Sequence, residues 1–116
     1  MSYNLSMKLR TGTIKHLQKY CAVKIETRGF KDESLHERLL LLVEEVGELV
    51  KACRKISGMN IDKNREILFK TGEEITDVIN LVFAVGIELG LDIEKEFIKK
   101  NKIVDKRIYA RSKNLK

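Results

Sequence analysis

Apolar residues recur at intervals of three and four along nearly the whole chain, and no stretch alternates strictly over the length of a strand, so the pattern predicts helices throughout. The absence of proline removes the commonest internal helix breaker. Four helices fit. The first runs from Thr13 to Thr27, with Ile14, Leu17, Cys21 and Ile25 on one stripe, and "RGF" at Arg28 to Phe30 stops it. The second opens at "SLHE", where Ser34 and Glu37 have capping-box spacing, and continues to Ser57, with Gly58 as its stop. Asn60, Asp62 or Asn64 caps a third helix that reaches Gly90, with a candidate break at Thr71-Gly72. Asp92 caps the fourth, which ends near Arg111. The expectation is all-α: a single domain over residues 1–116, folded as a four-helix antiparallel bundle.

A chain of 116 residues with 43% apolar content is long enough to bury a core without disulfides. No apolar run approaches the roughly 20 residues that span a bilayer, and "MSYNLSMKLR" lacks the apolar centre of a secretion signal, so a cytoplasmic protein with no membrane partner is expected. Cys21 and Cys53 lie on apolar stripes and read as buried thiols. The net charge of +6 is concentrated at one end. Residues 95–116 hold nine Lys or Arg against two acids, which leaves the first 94 close to neutral and makes 108–116 a basic tail.

The third helical segment and the second each place acids where an apolar face is expected. In "LLLLVEEVGELVKACRK", residues 39–55, Glu45 and Glu48 are three apart, so they point the same way and share a flank with Leu41 and Ala52. Glu74 and Asp77 repeat the arrangement beside Leu81 and Ala84. Two antiparallel helices bring such pairs face to face, where four carboxylates repel one another unless a cation joins them. Oxygen donors suit a hard divalent ion, and Mg²⁺ held by a few carboxylates commonly shares its shell with substrate phosphates.

"EVGE" at Glu45 to Glu48 and "EITD" at Glu74 to Asp77, in the order "RGF", "LLLLVEEVGELVKACRK", "EEITDVINLVFAVGIELGLDIEKEF", resemble the all-α nucleoside triphosphate pyrophosphohydrolases of the MazG-like and dCTP-pyrophosphatase-like family. The resemblance covers about residues 25–107 and implies Mg²⁺-dependent hydrolysis of a nucleoside triphosphate to the monophosphate and pyrophosphate, in nucleotide-pool housekeeping. It implies Glu45, Glu48, Glu74 and Asp77 as metal ligands, with Mn²⁺ as a substitute ion, and Glu44 or Glu45 as the general base. Family members hold the phosphates with a Lys, Asn and Arg cluster after the second motif; here that is Lys100, Asn101, Lys102 and Arg107, with the arginine later than usual. Phe30 takes the place of an aromatic that packs near the base.

Two rival classes are weaker. A ferritin-like di-metal site needs a Glu-x-x-His from each of two helices, and Glu33 to His36 is the sole such spacing. A basic helical dimer or nucleic-acid-binding module accounts for the tail but leaves the paired acids unexplained, so nucleic acid is not the expected partner. Leu40 and Leu41, added to the main stripe of the second helix, exceed what one four-helix unit buries and predict a homodimer or homotetramer.

Overall fold

The computed structural model describes Met7 and residues 10–56 and 65–114, with side chains described as far as Arg107 in the last helix. The described residues form four helices and no strand: α1 (Thr13–Thr27), α2 (Leu35–Ile56), α3 (Arg65–Glu88) and α4 (Ile93–Asn114). None of them is long and apolar enough to cross a membrane. The expected stop at Gly58, the cap candidates Asn60, Asp62 and Asn64, and the side chains of the basic tail lie outside the described residues.

The helix ends follow from local chemistry. At the end of α1 the Phe30 N–H donates to the Ile25 carbonyl at 2.9 Å and Gly29 N–H to Glu26 at 3.3 Å, the paired bonds of a Schellman cap, with Gly29 at φ 78°. The end of α3 repeats it: Leu91 N–H reaches Gly86 and Gly90 N–H reaches Ile87, with Gly90 at φ 68°. Ser34 Oγ accepts from Glu37 N–H at 3.1 Å and Asp92 Oδ1 from Lys95 N–H at 3.1 Å, so both expected N-caps form. The candidate break at Thr71-Gly72 does not occur. Thr71 Oγ1 donates to the Ile67 carbonyl at 2.7 Å, satisfying the hydroxyl inside the helix, and a single glycine costs only about 1 kcal/mol there.

Packing between α2 and α3 is the most extensive in the chain. Arg38 bonds the Ala84 carbonyl, and Glu45 meets Asp77; seven residues forward in α2 correspond to seven backward in α3, so the two run antiparallel. The small residues Ala52, Thr71 and Ala84 are buried; Phe83 and Gly86 of α3 are buried too, Gly86 against Ile93. Arg38 is only 2% exposed; its guanidinium donates to the carbonyls of Ala84 (3.3 Å) and Phe30 (3.0 Å) and to Glu88 Oε2 (3.2 Å), fastening the α1–α2 loop to α3.

The first turn of α4 is tied to α3 and α1 by named contacts. Ile93 presses on α3 where only a glycine fits, since a Cβ on Gly86 would lie 2.6 Å from Ile93 Cδ1. Glu94 accepts from the N–H groups of Gly12 and Lys15 at the start of α1, and Gln18 bonds Leu91 and Ile93. The radius of gyration is 17.9 Å, against about 13 Å for a compact chain of this length.

The apolar stripe of α2 is not covered as the sequence pattern anticipated. Leu39, Val43, Val46 and Val50 are exposed, Val43 to 72%, and so is Cys53, which is therefore not a buried thiol in the single chain. Leu68, Ile75, Ile79, Val82 and Leu89 of α3 are exposed as well. On both helices these residues are rotated in the same sense away from the seam, and in an antiparallel pair that places them on one side of the hairpin.

Candidate functional site

Glu45, Glu74 and Asp77 each offer a carboxylate oxygen, and the three oxygens lie within 4.8 Å of one another. Glu74 and Asp77 are one turn apart on α3, while Glu45 reaches them across the seam from α2. Glu45 and Glu74 are half-buried and Asp77 is exposed, so the group opens outward at Asp77. Glu74 Oε2 is shut off from solvent and has no hydrogen-bond partner, a costly state for a carboxylate oxygen. Desolvation pushes the Glu45 carboxyl above the usual carboxylate range, helped by the adjacent Glu74 carboxylate and by the charges of Asp77 and Glu44. Among the described residues no Lys or Arg forms an ion pair with these acids; the ion pairs found there belong to Arg38. Three carboxylates this close attract either a proton or a cation, and an all-oxygen donor set suits a hard divalent ion.

The structure brings together three of the four acids expected as ligands. Glu48 is exposed and outside the group, because one turn beyond Glu45 its Cβ is rotated by about 60°, away from α3. Glu44 is exposed too and reaches the site through its charge on Glu45.

Beside the acids a cleft of about 550 Å³ lies between α1 and the α2–α3 pair. Glu45 and Asp77 line it together with Thr76, Asn80, Leu81 and Ala84 from α3 and Arg38 and Leu41 from α2. Across from them stand Tyr20, Cys21, Lys24 and Ile25 of α1, and Arg28, Phe30 and Glu33 follow in the loop. Phe30 thus sits in the same cleft as the acids, 48% exposed. Asn80 Oδ1 accepts from the Cys21 thiol at 3.8 Å; burial pushes that thiol up and the nearby Arg28 charge pulls it down. Lys24 Nζ lies 5.5 Å from the Tyr20 ring centroid, within cation–π reach.

Lys100, Asn101, Lys102 and Arg107 do not line this cleft. They are on α4, beyond the first turn that anchors it, and Asn101 Nδ2 donates to the Phe97 carbonyl of its own helix at 2.9 Å. The cations that do line it, Lys24 and Arg28, were missed by the sequence reading along with Tyr20 and Arg38. A signal existed: Tyr20, Lys24 and Arg28 recur every four residues, a polar stripe beside the apolar one of Cys21 and Ile25.

Set against models of known protein families, curated proteins and solved structures, the chain has no match.

Proposed function

We propose that the cleft is the active site of a Mg²⁺-dependent nucleoside triphosphate pyrophosphohydrolase of the MazG-like kind, converting a nucleoside triphosphate and water to the monophosphate and pyrophosphate. The observation that carries this reading is the convergence of Glu45, Glu74 and Asp77, with the unpartnered Glu74 oxygen among them, at the edge of a cleft large enough for a nucleotide. Its oxygen-only donors and its orphaned buried oxygen fit Mg²⁺ or Mn²⁺. The order of "RGF", "EVGE" and "EITD" along the chain supports the same reading independently.

Glu45, Glu74 and Asp77 would hold the ion. When bound, it supplies charge stabilisation at the phosphoryl oxygens and lowers the pKa of water. Glu45, whose carboxyl is raised above the usual carboxylate range, is suited to accept a proton from a water attacking the α-phosphorus, and Glu44 favours that protonation by its charge. Phe30 and Tyr20 offer ring faces for a base.

The nine exposed Leu, Ile and Val side chains on the far side of the hairpin support a homo-oligomer. At roughly 80 Å² each they present about 700 Å² per copy, close to the ~800 Å² per partner of a stable interface. Two hairpins joined there make an antiparallel four-helix core. The protein is then a soluble housekeeping enzyme of the cytoplasm.

The test is a panel of canonical and modified nucleoside triphosphates incubated with the protein and Mg²⁺, with pyrophosphate and monophosphate quantified. Equimolar release of the two, abolished by chelation, is expected; absence of release from every member of the panel overturns the proposal.

A further inference from the structure

Opposite charges face one another in the cleft without pairing. Glu45 and Asp77 line one wall, Lys24 and Arg28 the other, and none of the four forms an ion pair within 4 Å among the described residues. Lys24 is half-buried and stacked near Tyr20, which holds its ammonium in the cleft. Arg28, exposed just past the end of α1, lines the same wall of the cleft as Cys21 and Lys24. Cations and carboxylates that share a cleft and leave a gap between them accommodate a ligand that is anionic along its length and carries a metal at one end.

We propose that Lys24 of α1 and Arg28 just after it, and not the basic residues of α4, bind the β- and γ-phosphates of the substrate. The inference rests on the pyrophosphohydrolase reading and assigns that site its polyphosphate end. The metal cluster takes the reacting phosphoryl group. Arg28 offers a planar fork of donors to two phosphate oxygens, and Lys24 a point charge to a third. The pair also receives the leaving pyrophosphate, neutralising charge as it builds on the departing oxygen. Lys100, Lys102 and Arg107 do not line the cleft.

The experiment is calorimetric titration of the full chain in Mg²⁺ with inorganic phosphate, pyrophosphate and tripolyphosphate, probes that carry no base. For the unaltered protein, affinity should climb with phosphate number. In Lys24→Gln and Arg28→Gln each, tripolyphosphate affinity should fall about 10-fold, and in the double variant about 100-fold, while affinity for single phosphate stays within about 2-fold. Arg28→Lys should recover part of the loss. Lys100→Gln/Lys102→Gln should leave the whole series unchanged. Lys24 is half-buried on α1 and Arg28 is exposed just past its end, and circular dichroism verifies that the variants remain folded.

A flat series in the unaltered protein, an intact series in the double α1 variant, or a loss that follows the α4 variant overturns the assignment. Failure of the enzymatic reading has a different signature: the series then persists unchanged in chelator and in Glu45→Gln, and still collapses in Lys24→Gln/Arg28→Gln.

Discussion

The two sides of the α2–α3 hairpin are built on the same spacing and present opposite misfits. One side carries Leu41, Glu45, Asp77, Asn80 and Ala84 and withdraws charge from water; the other carries Leu39, Val43, Val46, Ile75, Ile79 and Val82 and leaves apolar surface in it. Each is unfavourable for a chain alone. The first is relieved by a cation, the second by another apolar surface. Which kind of partner would suit each side follows from the misfit it carries.

The largest effect should come from the charged side. Glu45→Gln or Asp77→Asn is expected to lower turnover at least about 1,000-fold, about 4 kcal/mol in barrier, with helix content unchanged by circular dichroism. Both should also abolish the rise in melting temperature produced by Mg²⁺; a variant that keeps either property removes that residue from the metal set.

Arg38→Ala comes next. It strips the donors from two backbone carbonyls and leaves Glu88 without its partner, so chemical denaturation should register a loss of about 3 kcal/mol. Because the Phe30 loop is fastened by the same guanidinium, KM for any substrate should rise in this variant more than kcat falls.

On the apolar side, Val43→Glu or Ile79→Glu should weaken self-association about 100-fold, since a two-fold axis introduces the charge twice. Sedimentation velocity reads this directly, and Mg²⁺ binding should survive. An unchanged sedimentation coefficient, with the unaltered chain a monomer at micromolar concentration, would erase the contrast between the two sides.

The smallest effect is on pH dependence. The raised folded-state value of Glu45 means that the folded chain holds this proton where the unfolded chain has released it. Its contribution to stability is therefore complete below the ordinary glutamate range and is lost as pH rises through the folded-state value. In chelator, lowering the pH from neutral should stabilise the protein relative to Glu45→Gln, whereas the Mg²⁺-induced melting shift should shrink over the same interval, because protons compete for the oxygens.

What could be read from the chain in advance was local. Ser34, Asp92, Gly29 and Gly90 announce their helix ends because a cap involves only neighbouring residues. Glu74 and Asp77 share a direction by helical geometry, and Glu45 joins them because the seam of α2 passes through it. The same geometry turned Glu48 aside, which required knowing where α3 lies. The polar stripe of Tyr20, Lys24 and Arg28 was visible, but not that it meets the cleft: the face of α1 that does so depends on how that helix crosses α3, and crossing is set by distant packing. The course of α4 depends likewise on one close approach, Ile93 against Gly86, which no periodicity records. Val43 and Cys53 are exposed although they lie on the apolar stripe of α2, because periodicity marks a face and does not say what covers it.

Arg38 secures the loop after α1 by gripping the backbone oxygen of Phe30 and leaves its ring untouched. Such a hold is indifferent to which amino acid occupies position 30. The ring can be traded for a smaller, larger or polar group without loosening the strap that presents it, making this position a replaceable tooth in a fixed jaw and the natural place to begin redesigning what the protein selects.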